Sequence, residues 1–104
     1  MTEERRKSVR VRVALEARLT HHAATETTRT YDISAGGCSL EATGQAAPGE
    51  RVELELRLPD GRWLSLSCEV VHTMLGAGLA VRFLDASAEQ RQALAQLMEA
   101  ARAI

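Results

Sequence analysis

Residues 52–70 read VELELRLPDGRWLSLSCEV, two alternating runs on either side of one tight turn. Val52, Leu54, Leu56 and Leu58 alternate with Glu53, Glu55 and Arg57, and the return run sets Leu64, Leu66, Cys68 and Val70 against Ser65, Ser67 and Glu69. A period of two is that of a strand with one dry face and one wet face. Pro59-Asp60-Gly61-Arg62 supplies the reversal, with a glycine free to take positive φ. The unit is an antiparallel hairpin, and it sets the pattern for the rest of the chain.

Upstream, Val9, Val11, Val13, Leu15, Ala17 and Leu19 alternate with Arg10, Arg12, Ala14, Glu16 and Arg18, which predicts a first strand carrying Arg10 and Arg12 outward. Residues 1–8 precede it as a flexible basic arm. Thr20 to Ala24 reads as a connection and the Thr-rich run from Thr25 to Ile33 as a second strand. Ser34-Ala35-Gly36-Gly37 breaks that strand, Cys38, Leu40 and Ala42 mark a third, and Gly44, Pro48 and Gly49 punctuate a loop. Downstream of the hairpin, Gly76-Ala77-Gly78 leads to a last strand from Leu79 to Leu84. Six short strands at regular spacing, with no helix between them, favour an all-β domain closed as a six-stranded antiparallel barrel over residues 9–85. A C-terminal helix over 87–103 follows. Ser87 and Gln90 have capping-box spacing, Asp85 is placed to help start the helix, and Leu94, Leu97, Met98 and Ala101 form one apolar stripe to cover a barrel end.

The 104 residues suffice for one core, so 1–104 reads as a single domain. At 45% hydrophobic and 26% charged residues it is globular, and no run approaches the ~20 apolar residues of a membrane span. No export signal is evident, and Cys38 and Cys68, thirty positions apart, read as buried thiols of a reducing cytoplasm. The net charge is −1, yet Arg5, Arg6, Lys7, Arg10 and Arg12 hold five of the thirteen basic residues, leaving 8 basic against 14 acidic elsewhere, or −6. A local basic arm on an acidic domain suits a small anionic ligand, and argues against extended DNA or RNA.

Catalytic and metal signals are weak. His21-His22 has no carboxylate or cysteine at ligand spacing and reads as an exposed loop pair; no metal or cofactor is expected. His72 reads as a strand-end residue and Trp63 as packing on a barrel edge. No hydrolase triad has its residues in order, and Asp32 stands alone without the carboxylate cluster that metal-assisted phosphodiester cleavage requires, so no enzyme is expected.

Two constellations remain: Arg6-Lys7-Ser8-Val9-Arg10, which is R-x-x-x-R, and Asp32-Ile33-Ser34-Ala35-Gly36-Gly37, which is D-x-S-x-x-G. Singly, each is a basic tail or an ordinary turn. Together, some twenty residues apart at the head of a six-stranded chain with a C-terminal helix, they resemble the PilZ domain. Pro48-Gly49-Glu50-Arg51-Val52, Leu58-Pro59-Asp60-Gly61, Glu69-Val70-Val71 and Val81-Arg82-Phe83-Leu84-Asp85 extend the likeness over nearly the whole chain. The resemblance implies a barrel that binds cyclic di-GMP through Arg6, Arg10, Asp32, Ser34, Gly36 and Gly37, with Arg5 as a further contact. The chemistry fits. Arginine forks bind phosphate or the guanine O6 and N7 edge, Asp32 accepts guanine N–H donors, Ser34 offers a hydroxyl, and Gly37 permits a left-handed backbone and close approach. The expected function is a non-enzymatic receptor whose arm orders on binding and signals to an unidentified downstream protein. The alternative is a PilZ-like interaction module that does not respond to nucleotide.

Overall fold

The computed structural model describes residues 9–42, 46–74 and 76–102; the arm over 1–8, with Arg5 and Arg6, lies outside them. The elements are β1 (Val11–Arg12), β2 (Glu16–His21), β3 (Ala24–Ile33), β4 (Gly37–Leu40), β5 (Arg51–Arg57), β6 (Trp63–Met74), β7 (Gly78–Phe83) and a helix α1 (Ala88–Arg102). Strands β3, β2, β5, β6, β7 and β4 pair in that order, and β4 returns to β3. All these pairings are antiparallel. Closure leaves no open edge among the six. The strand β1 adds two residues, paired with β3.

The hairpin folds as its alternation requires. Leu54 faces Leu66 and Leu56 faces Leu64 across β5 and β6, and all four are buried. At the turn, the Leu58 N–H donates to Arg62 O at 2.7 Å, and Gly61 takes φ 92°. Ile33, Cys38, Leu40, Val52, Cys68, Val70, Leu79 and Val81 complete the interior, and Leu94 and Leu97 of α1 join it with Val11 and Leu64. The helix therefore closes one end of the barrel.

Its start is a reciprocal capping box: the Ser87 N–H donates to Gln90 Oε1 at 2.7 Å and the Gln90 N–H to Ser87 Oγ at 3.0 Å. Gln90 Nε2 also donates to Ser65 O at 2.7 Å, tying the helix to β6. Asp85 takes no part in the box; with φ 48° it turns the chain out of β7. Among the described residues no helix is long and apolar enough to cross a membrane.

Two breaks in strand register depart from the simple alternation. The expected first strand divides into β1 and β2, because Arg12 faces Asp32 while Glu16 faces Arg29, so three residues on that side oppose two on β3. Thr30 closes the gap: its hydroxyl donates to Val13 O at 2.6 Å and accepts the Leu15 N–H at 2.9 Å. On the β4 side the register also slips between Thr30 and Asp32. Buried Thr30 and Ile33 thus bracket two successive outward residues, Tyr31 and Asp32. On β6, Val70 faces Val81 but His72 faces Ala80, so Val71 is the extra residue and stands 49% exposed. Such bulges re-aim side chains, and both lie beside the same patch of surface.

Candidate functional site

Strand pairing lays a row of residues across the outside of the barrel. Arg12 faces Asp32, Asp32 faces Ser39, Ser39 faces Ala80, and Ala80 faces His72. One step along, Gly37 faces Arg82 and Arg82 faces Glu69. Residues far apart in sequence therefore share one face because β3, β4, β7 and β6 are neighbours in the ring.

Arg10 reaches this face from just before β1, and its Nη1 lies 2.8 Å from Asp32 Oδ1. The same oxygen accepts the Ser39 N–H at 3.2 Å. Arg82 pairs with Glu69 at 2.6 Å. Each arginine thus pairs with a carboxylate on a neighbouring strand and keeps more than half of its side chain exposed, with a planar fork of the kind that can bind phosphate.

The turn after β3 is built by Ser34. Its N–H donates to Gly37 O at 2.8 Å, and its hydroxyl donates to the same oxygen at 3.2 Å while accepting the Gly36 N–H at 3.3 Å. Ser34 is buried, so its hydroxyl secures the turn from within. The left-handed backbone expected at Gly37 is not found: neither Gly36 nor Gly37 is among the positive-φ glycines. Gly37 is required by packing instead, since a Cβ there would lie 2.1 Å from Val81 O on β7. Gly36, by contrast, has nothing within 4 Å of a would-be Cβ and lies open on the surface.

A shallow cavity of about 220 Å³ opens here, lined by Arg10, Ser34, Gly36, Gly37, Val71, His72, Ala80, Val81 and Arg82. The structure thus brings Arg10, Asp32, Ser34, Gly36 and Gly37 onto one face. Sequence reasoning missed Val71, His72 and Arg82. One signal was available: the inward series Leu64, Leu66, Cys68, Val70 calls for an apolar residue at 72, and His72 stands there instead, as a bulge requires. Trp63 is elsewhere, stacked by Arg18 at 3.8 Å and Arg57 at 4.9 Å from its ring centre. Cys38 and Cys68 are buried free thiols.

His22 lies exposed in the hairpin turn, as expected, while His21 ends β2 and is half-buried. Folding brings Glu50 to it, with Glu50 Oε1 3.1 Å from His21 Nε2. The Ala47 N–H, above all, and the neighbouring histidines hold the Glu50 carboxyl below its usual range.

The chain belongs to the PilZ domain family, whose pattern matches residues 4–100. The fold is shared by the Bacillus subtilis inhibitor of motility (MotI/DgrA), at 23% identity and TM-score 0.77 over 95% of this chain and 51% of that one. It is shared by the PilZ domain of CeSA from a cellulose-synthesizing bacterium, at 19% identity and TM-score 0.73 over 91% and 99%. Escherichia coli YcgR in complex with cyclic di-GMP gives 18% identity and TM-score 0.79 over 95% and 46%. The chain thus spans about half the length of the motility inhibitor and of that YcgR chain. No curated protein sequence matches it.

Proposed function

We propose that this domain is a non-enzymatic receptor for cyclic di-GMP. The observation that carries the reading is the convergence of Arg10, Asp32, Ser34, Gly36 and Gly37 with Arg82 and His72 on one face of a PilZ barrel. Arg10 and Arg82 supply planar cations for phosphate or guanine, and Asp32 supplies the acceptor that guanine N1–H and N2–H require. The open surface at Gly36 lets a ligand lie against the backbone. Structures of YcgR containing cyclic di-GMP support the choice of ligand.

The cavity, about 220 Å³, is smaller than the ~300–1,000 Å³ that encloses a whole drug-sized ligand, so it seats only part of a dinucleotide. Arg6 is four residues before Arg10 and hence within about 14 Å of extended chain, near enough for Arg5 and Arg6 to cover the remainder. Ligand that takes over Arg10 from Asp32 changes the surface around β1. That change is the signal offered to a partner protein.

Calorimetric titration with cyclic di-GMP tests the proposal, with GMP as control. Binding by the wild-type chain, weakened at least tenfold by Arg10→Ala, is expected. A wild-type chain that takes up no cyclic di-GMP overturns it and favours an interaction module indifferent to nucleotide.

A further inference from the structure

The hairpin joining β2 to β3 lies at the other end of the barrel wall. His21 faces Ala24 at its base, and Asp32 is eight residues further along β3, about 26 Å at the usual rise per residue. Whatever this end does, it does apart from the nucleotide face.

We propose that His21, His22 and Glu50 form a binding site for a divalent transition-metal ion of the zinc type. The pairing of β2 with β5, which sets Thr20 opposite Glu53, carries Glu50 to His21 from 29 positions away in sequence. One donor atom from each of the three residues lies within 4.8 Å of the others. Zinc holds nitrogen and oxygen ligands at about 2.0–2.2 Å in a tetrahedron, which sets them some 3.3–3.6 Å apart. His21 Nε2 and Glu50 Oε1, hydrogen-bonded at 3.1 Å, are already near that spacing, and His22 is exposed beside them.

The donor set is selective. Two imidazoles and one carboxylate suit zinc, nickel or copper, whereas magnesium and calcium prefer oxygen ligands alone. Three protein ligands leave a fourth position for water. Glu50 is also oriented from behind, since its Oε1 accepts the Ala47 N–H at 2.8 Å. Hydrogen bonds of this kind fix the direction of a ligand before the metal arrives.

The backbone adds a separate observation. The hairpin loop has two residues, His22 and Ala23, and His22 takes φ 58°. Side chains other than those of asparagine, aspartate and histidine are rare at positive φ. The His22 ring centre lies 4.1 Å from that of His21, with the two rings tilted by 43°.

The test is zinc titration of tag-free full chain in competition with a chromophoric chelator, with thermal melting in parallel. The wild type is expected to take one zinc per chain and to melt at higher temperature with zinc, and not with magnesium. His22→Gly is the sharp variant: its metal-free melting point should equal or exceed the wild type, while the zinc response is lost. Glu50→Gln should weaken zinc at least tenfold. A wild-type chain that leaves zinc with the chelator, or a His22→Gly chain that binds zinc as the wild type does, overturns the proposal.

Discussion

Arg10 and Asp32, twenty-two positions apart, form an ion pair of 2.8 Å across the junction of β1 and β3, with the arginine side chain 52% exposed. Exposed pairs of this kind contribute about 0–1 kcal/mol, since water competes for both partners. The pair is therefore weak as a brace, which leaves Arg10 available to the proposed ligand. Arg10→Ala should lower folding stability by less than ~1 kcal/mol while cutting cyclic di-GMP affinity at least tenfold, or ~1.4 kcal/mol. Urea denaturation and calorimetry on the same variant read the two quantities separately. A variant that unfolds as readily as it loses ligand would assign Arg10 to the fold.

The adjacent glycines should respond oppositely to alanine. At Gly37 a Cβ would lie 2.1 Å from Val81 O, so β4 must move away from β7, at a cost of ~1–3 kcal/mol for overpacking. At Gly36 the same methyl meets nothing within 4 Å, and stability should hold or rise slightly. Loss of cyclic di-GMP binding in a stably folded Gly36→Ala would mark the place where ligand lies against the backbone. Unchanged binding would move the ligand away from this turn.

The contrast shows what was legible in the sequence. The hairpin over residues 52–70 was plain, because burial on one face writes a period of two into the residues. The capping box at Ser87 and Gln90 was plain for the same local reason. Gly37 was expected to need a left-handed backbone and does not take one: what excludes a side chain there is Val81, forty-four residues away, and no local pattern carries a cross-strand approach. The division of the first strand was equally hidden, since Val11 to Leu19 keep their alternation and the irregularity lies in how they meet Thr30 and Tyr31. Glu50 beside His21 is a third case, set by the pairing of β2 with β5.

Val71 and His72 follow from the β6 bulge and from nothing in the two motifs. Val71 is a large apolar side chain left 49% exposed at the rim of the cavity, where a base of the proposed ligand would meet it. Val71→Ser and His72→Ala should each leave stability within ~0.5 kcal/mol, as surface substitutions do. Each should reduce cyclic di-GMP affinity, by about three- to tenfold if one base or sugar contact of ~1 kcal/mol is lost. Calorimetry with both variants decides whether the ligand reaches across β7 to β6 or stops at the turn.

Cys38 and Cys68 face the barrel interior, and burial is the main reason that both thiols are pushed up from their ordinary value of 9.0. For Cys38, the charges of Cys68 and Asp32 act in the same direction and Arg10 opposes them; for Cys68, raised to about 12, Glu53 adds to burial. A thiol whose pKa is higher folded than unfolded holds its proton more tightly in the folded chain. Its contribution to stability is complete below pH 9 and is lost as pH rises toward the folded value, with a slope approaching ~1.4 kcal/mol per pH unit for each thiol. Urea denaturation should accordingly show stability falling as pH rises from 9 to 11, with a shallower fall in the Cys38→Ala/Cys68→Ala variant whatever its absolute stability. At pH 8 a thiol reagent should label neither cysteine in the native chain and both in urea, because the reactive thiolate is scarce and the sulfurs are enclosed. Rapid native labelling, or the same pH slope with and without the cysteines, would show that the barrel opens at β4 and β6 more readily than its closed pairing implies.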